Sequence, residues 1–361
     1  MKLAKHNATN VKHNNPSLSI NMSYQIVSEK EITRWNFYIE NATYRDFYHT
    51  SQYHTLQNSG EPFLFVYEKN GVFIVFPLLK RRIEQTDYVD FTSVYGYSGP
   101  ISNKEFAQLD SDLLDDFKTQ FLSFIDAENC VSIFARLNPF ANQQLLLEKF
   151  GGVHENGKTV YMDLTVPLED QRSRYEKRLR RRIKQLRRKD YRIIEATNSE
   201  EVQLFIQLYY ENMDRVNASE HYYFDKEYFL NLLDKEKFLS RLLLIFEEEI
   251  LICGAVVINS DSIIRNHLSA TNVDYLKESP SKLLTDEISL IGRELGLKYF
   301  HLGGGVGGKE DSLFYYKSSF SNLFLEDKVW CYIADHAAYD SLVNLNADRA
   351  SPKKRFPLYR T

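Results

Sequence analysis

The chain is poor in cysteine, has no long apolar run and carries almost no net charge. Its three cysteines, Cys130, Cys253 and Cys331, are an odd number without metal-ligand spacing, so neither a disulfide framework nor a metal site is expected. His49 and His54 are five apart and nothing joins them. This cysteine usage suits a reducing, cytoplasmic setting, with Cys253, set in an apolar run, as a buried free thiol. No apolar stretch approaches the roughly 20 residues a membrane span requires, and no hydrophobic signal core opens the chain. A Ser-His-Asp nucleophile elbow is absent too. The formal net charge of −4 says little about partners by itself.

What is there suits two domains of ordinary size: 361 residues, 43% hydrophobic, 14% aromatic. The 24 Tyr and 24 Phe favour sheet-rich domains with aromatic-lined clefts. Residues 1–22, Asn-rich and without apolar period, read as a disordered lead-in. Residues 24–58 hold one or two helices, with Thr50 or Ser51 as a cap. Phe63–Tyr67, a Lys-Asn-Gly turn and Val72–Leu79 form a hairpin. A strand at 88–92, a helix at 109–128, a strand at 131–137, a helix at 142–150 and a strand at 159–166 follow. After residue 200 a similar order recurs: two helices (200–212, 225–234), a hairpin, a strand, a helix and a strand. The fold class expected is mixed α/β.

Charge is distributed unevenly. Between Arg172 and Arg192 twelve Arg or Lys stand against two acids, a local net of +10. One helix is expected over 170–189, with Tyr175, Leu179, Ile183 and Leu186 as a narrow apolar stripe. A solvated connector accounts for this pattern. So does a polyanion beside it, which would relieve the self-repulsion; Arg178, Arg181 and Arg182 are the phosphate-binding candidates.

The densest signal is Tyr299–Phe320. A short apolar strand opens into five glycines in six positions, 303–305, 307 and 308, and an aromatic segment with one lysine, Lys317, follows. Gly303-x-Gly305-x-x-Gly308 matches a dinucleotide fingerprint, but too little chain remains for the βαβ unit that motif opens. Gly303-x4-Gly308-Lys309 is one residue short of a P-loop, and Glu310 stands where Ser or Thr would hold magnesium. A lone cation among aromatics needs an anion, a carbonyl or a π face, or it snorkels.

Leu302-Gly-Gly, a short polar loop and Leu313-Phe-x-x-Lys317-x-x-Phe320 together resemble the end of the catalytic domain in the FemABX-like branch of the GNAT acyltransferases, which includes the peptidoglycan-bridge aminoacyltransferases and related acetyltransferases. Upstream, 242–258 is similar to the family's central hairpin, and Ile264-Arg-Asn-His-Leu-Ser-Ala-Thr271 to the strand that lines the acceptor cleft. The resemblance covers 160–330 well and 24–160 more weakly. It implies two tandem GNAT-like domains, each a mixed central sheet flanked by helices, joined by the basic helix. The expected divisions are 23–160, a catalytic 161–335 and an extension, 336–361. It implies N-acyl transfer from acyl-CoA, or from aminoacyl-tRNA, to an amine on a phosphate-bearing or cell-envelope acceptor, with possible contacts to tRNA or an anionic membrane. The family's Arg/Gln-x-x-Gly-x-Gly/Ala loop for acetyl-CoA is absent, and so is a heptad run long enough for the coiled-coil arm of some relatives.

Carried onto these residues, Lys317 would steady the oxyanion. Asp311 is a base or a loop cap, and His267 a proton acceptor or a structural histidine. Ser281 and Lys282, at a helix start behind Ser279 and Pro280, would meet the donor with Gly303, Gly304 and Gly305; an ordinary capped helix needs no more than the same residues. Arg265, His267 and Ser269 alternate along one strand and are expected on one face. Arg265 and Ser269, with Arg215, Tyr223, Tyr95, Tyr97 and Tyr316, are the acceptor-site candidates. A non-enzymatic binder of RNA or anionic surface through the basic helix is the contrasting class.

Overall fold

The computed structural model describes residues 24–57, 59–345 and 356–360; the expected lead-in lies outside them. The first half comprises β1 (Tyr24–Ser28), α1 (Ile32–Glu40), α2 (Ser51–Thr55), β2 (Glu61–Lys69), β3 (Val72–Arg82), β4 (Val89–Thr92), β5 (Ile101–Ser102), α3 (Ser111–Ala127), β6 (Cys130–Arg136) and α4 (Gln144–Leu147). Then come β7 (Val153–Asp163), α5 (Leu168–Ser173) and α6 (Lys177–Leu186). The second half holds β8 (Tyr191–Glu195), α7 (Ser199–Arg215), α8 (Lys226–Leu232), β9 (Ser240–Glu247), β10 (Ile250–Ser260) and β11 (Ile263–Thr271). It ends with α9 (Ser281–Glu294), β12 (Tyr299–Gly303), α10 (Ser312–Ser318), β13 (Leu323–Ile333) and α11 (His336–Leu345).

Local sequence explains most of these elements. Asn70 and Gly71 both take positive φ, 53° and 74°, which the two-residue turn of the β2–β3 hairpin requires. Thr50 caps α2 by accepting from the Tyr53 N–H. The expected helix at 142–150 shrinks to the four residues of α4. The expected basic helix is two helices: Glu176 is extended (φ −54°, ψ 144°) and its N–H donates to Ser319 O at 2.8 Å. A tertiary bond breaks a run whose sequence gives no stop signal, and Tyr175 is buried at the break.

All thirteen strands among the described residues form one mixed sheet, in the order β1-β2-β3-β4-β6-β13-β7-β12-β11-β10-β9-β8, with β5 on β3. Helices cover both faces, and each half repeats the order of helix pair, antiparallel hairpin and parallel strand. The halves exchange strands at the centre. β7 follows the first half in sequence but pairs with β12; β13 ends the second half but pairs with β6; and the two pair with each other. The expected boundary at 160/161 falls inside β7. One core is likewise shared, since Phe47, Tyr48, Tyr53 and Tyr97 pack with Phe205, Tyr209, Tyr228 and Phe229 of α7 and α8. On the other face α9 packs Leu283, Leu284 and Ile288 against Val160, Phe300 and Leu302. No helix among the described residues is long and apolar enough to cross a membrane.

Two irregularities interrupt the ladder in the middle of the sheet. β11 and β12 are parallel and pair only from Ile263↔Tyr299 to Arg265↔His301, and past those residues they part. A register shift between Val256 and Val257 places Leu268 opposite Val256 but Asn266 opposite Val257. His267 is the extra residue of this bulge.

Candidate active site

The strands part beside the glycine loop. Gly303 has φ +78°, and a Cβ on it would lie 3.3 Å from both Lys317 Nζ and Tyr97 Oη. Only a residue without a side chain leaves that space between ammonium and phenol open. The neighbouring glycines serve backbone packing instead: a Cβ on Gly308 would come within 2.1 Å of Asn156 O. Gly304 and Gly305 are crowded by Lys158 O and Lys309 O, so of the three glycines expected to meet a donor only Gly303 offers a bare face.

Lys317 sits on α10, whose start is fixed by Asp311. Asp311 Oδ1 accepts from the Phe314 N–H at 2.9 Å and Oδ2 from the Val306 N–H at 3.0 Å. Burial alone would raise the Asp311 pKa; these backbone donors outweigh it and hold the carboxyl below its usual range. Of the two roles expected for Asp311, this geometry is that of the cap. Lys317 Nζ donates to Gly304 O at 2.6 Å. Burial, then the charge of Arg136, pulls the Lys317 ammonium down to about 8, against Asp311.

The first half completes the site. Arg136 holds buried Asp327 at 2.6 and 3.2 Å, donates to Tyr97 Oη at 3.1 Å and lies 4.2 Å from the Tyr97 ring centre. Asn156 Nδ2 also donates to Asp327, at 2.7 Å. Burial raises the Tyr97 pKa, so its phenol stays neutral. Arg265 is 2% exposed and bonds Asp46 at 3.0 and 2.5 Å. Sequence reasoning missed Arg136, Asp327 and Asp46 as site residues, and it left the role of His301, just before the glycines, open. Their partners stand far away along the chain, and no local pattern marks them.

Several expectations change. Arg265 and His267 share a face, but the bulge carries Ser269 to the other one, opposite Ala255 of the α9-side core. His267 is caged by Phe47, Tyr48, Tyr53, Tyr95 and Tyr228 and shares a 2.8 Å hydrogen bond with Tyr228 Oη. Burial, then Arg265, pushes it down to about 3, which makes it a poor proton acceptor at neutral pH. Tyr316 lies on the α9 side, its Oη 3.1 Å from Thr285 Oγ1, rather than in the acceptor cleft. Tyr95 lies edge-on to Tyr222 and His267, both at 5.9 Å. Arg215 ends α7, donates to Asn212 and stays in solvent; Tyr223 donates to Asp214.

The α9 turn is closed by the chain's own groups. Pro280 stands at the N-cap, and Ser279 (φ 56°) turns its hydroxyl back to Leu276 O. The Lys282 and Leu283 N–H groups bond Ser279 O and Pro280 O, 3.1 and 2.9 Å away. Arg182 donates to Glu278 O and Lys277 O, which removes it from the phosphate-binding candidates. Lys189 and Tyr191 hold Glu278, and Arg172 and Arg187 both hold buried Asp286 at 2.7 Å. Lys177, Arg178, Arg180, Arg181, Lys184 and Arg188 remain exposed, and no ion pair is seen for them among the described residues. In the first half the matching helix, α3, starts with Asp110 and Asp112, a charge that repels phosphate. Cavities of about 310 and 250 Å³ lie elsewhere, one beside Pro139 and Phe324, the other beside Tyr88 and Tyr332.

A parallel strand pair whose ladder ends at Arg265 and His301, a bare glycine at a strand end and the half-buried Lys317 make up the candidate site. Residues 173–318 match the family described as Acetyltransferase (GNAT) domain. The fold is similar to that of FemX, with 13% identity and a TM-score of 0.68, over 89% of this chain and 99% of that one. It is also similar to L-PGS from Bacillus licheniformis, with 13% identity and a TM-score of 0.57, over 87% and 96% of the two chains. A third is the C-terminal domain of a putative lysylphosphatidylglycerol synthetase from Agrobacterium fabrum, with 14% identity and a TM-score of 0.55, over 89% and 97%. No curated protein matches the sequence. Residues 173–318 thus match a GNAT domain, and the chain as a whole has a fold similar to those of FemX and L-PGS.

Proposed function

We propose that the chain is an N-acyltransferase that moves an aminoacyl group from an aminoacyl-tRNA to an amine of a cell-envelope precursor. The lone pair of the amine adds to the carbonyl carbon, the ester C–O bond breaks, and the proton lost by the amine leaves with the tRNA hydroxyl. The observation that carries acyl transfer is the Lys317 ammonium facing Tyr97 across bare Gly303. A half-buried cation aimed at developing negative charge is worth more there than in water. The donor assignment is supported by the α9 turn, whose Lys282 and Leu283 N–H groups are bonded within the chain rather than free for a pyrophosphate, and by the six exposed cations of α6 and its flanks. Coenzyme A as carrier is the second reading, favoured by the family's description as an acetyltransferase. A titration of thermal stability with aminoacyl-tRNA, acetyl-CoA and free coenzyme A, at low and moderate salt, separates the two. Saturation to 100 times Kd adds about 2.7 kcal/mol. The proposal expects that shift with aminoacyl-tRNA, weakening as salt rises. A salt-tolerant shift with acetyl-CoA alone transfers the assignment to coenzyme A.

A further inference from the structure

His301 is the middle residue of β12 and lies on the side facing the first half. It is 2% exposed, and its Nε2 has no hydrogen-bond partner among the described residues. Its Nδ1 is bonded by Arg265 Nη1. A guanidinium only donates, so Nδ1 carries a lone pair, and a neutral imidazole bonded in that way holds its proton on Nε2. Arg265 is itself fixed by Asp46, which also accepts from Ser260 at 3.0 Å, Tyr44 at 3.0 Å and Asn138 at 3.3 Å. A chain of bonds thus runs from the first half through Asp46 and Arg265 to His301, and ends on a buried N–H that no described residue accepts.

The surroundings specify the missing acceptor. The Tyr97 ring lies 4.8 Å from the His301 ring and the Phe140 ring 5.3 Å from it. Burial first, then the charges of Arg265, Lys317 and Arg136, disfavours an imidazolium here and holds His301 neutral. The groups turned to this space are mostly donors and cations, which suits an oxygen that bears or acquires negative charge.

We infer that His301 Nε2–H donates to the carbonyl oxygen that Lys317 also faces, as a second preformed donor to the oxyanion, and that His301 does not take the proton of the amine. The role rests on the acyl-transfer reading; the donor state of the ring does not. The activity-independent test is a long-range ¹H–¹⁵N spectrum of histidine-labelled protein. The His301 signal is assigned by its loss in His301→Gln, or by contacts to the Tyr97 and Phe140 rings should that variant not fold. The expected result is a neutral ring protonated at Nε2 from about pH 5.5 to about 8. Its Nε2 should shift saturably when acetate is titrated at constant ionic strength, and several-fold more weakly in Lys317→Ala. An Nδ1–H ring, protonation within that pH window, or an Nε2 indifferent to acetate overturns the inference.

In an acyl-transfer assay His301→Ala should lower kcat about 100-fold, the effect of deleting one oxyanion donor, with KM little changed. His301→Gln, which keeps an N–H, should recover part of the loss. A wild-type acid limb near pH 6.5 that vanishes in His301→Gln would reveal a base instead and overturn the inference. If no donor supports acyl transfer while the spectrum shows the Nε2–H ring and its acetate response, the acyl-transfer reading fails and the donor assignment stands.

Discussion

Folding strips Lys317 of most of its water and returns one carbonyl, Gly304 O, at 2.6 Å. Its ammonium titrates at about 8 in the fold, against 10.5 ordinarily. Between those values the unfolded chain binds a proton that the folded chain has lost, so stability rises with pH through that window. Thermal melts from pH 8 upward should show this rise in the wild type and not in Lys317→Met; parallel curves would place Lys317 in water. The cation also weakens as pH passes about 8, so the advantage of wild type over Lys317→Met in kcat should fall there. Gly303→Ala puts a methyl between Lys317 and Tyr97 and strains a positive φ, at a cost of about 1–3 kcal/mol; urea unfolding measures it, and unchanged stability with full activity would contradict this geometry. Lys317 was legible in the sequence because a lone cation after a strand and five glycines stands out. The role of His301 was not, because it depends on Arg265 on another strand and on Asp46 in the other half.

At the level of elements, the hairpins and α3, α7 and α9 were readable from periodicity and turn residues. β1 was missed because its five residues show no alternation in burial. The break between α5 and α6 was missed because its cause is a bond to Ser319, and the placing of Ser269 because a bulge shifts the face of β11. The basic segment divides into two functions that composition cannot separate. Arg172 and Arg187, with Tyr175 Oη, bind the fully buried Asp286. Asp286→Ala removes the carboxylate that Arg172 and Arg187 share, leaving Arg187 only Glu287, and should cost about 3 kcal/mol, read by chemical denaturation. Arg178→Glu/Arg181→Glu lies in solvent and should change stability by less than about 0.5 kcal/mol, while the salt-dependent affinity for tRNA falls at least tenfold. Equal affinity of variant and wild type would remove the basic face from the donor site.

Across the whole molecule, the exchanged β7 and β13 make each half depend on the other. The expected division at 160/161 falls within β7, and the sheet runs unbroken through it. Unfolding should therefore be one cooperative transition by calorimetry and by fluorescence alike; two separated transitions would show that the halves are independent. The first half supplies Asp46, Tyr97 and Arg136 to the site, while the acids at the start of α3 leave it without a phosphate-binding turn of its own. Tandem architecture was readable from the repeated element order; the exchange was not, because nothing local distinguishes a strand that pairs within its own half from one that crosses.

The central claim is acyl transfer dependent on Lys317. Its most direct measurement uses hydroxylamine as a surrogate amine and follows hydroxamate formation from aminoacyl-tRNA and from acetyl-CoA, for wild type and Lys317→Ala side by side. The account predicts saturable formation above the uncatalysed background with one of these donors, lowered about 100-fold or more in the variant. Equal rates in the two proteins, or background rates with both donors, would contradict it.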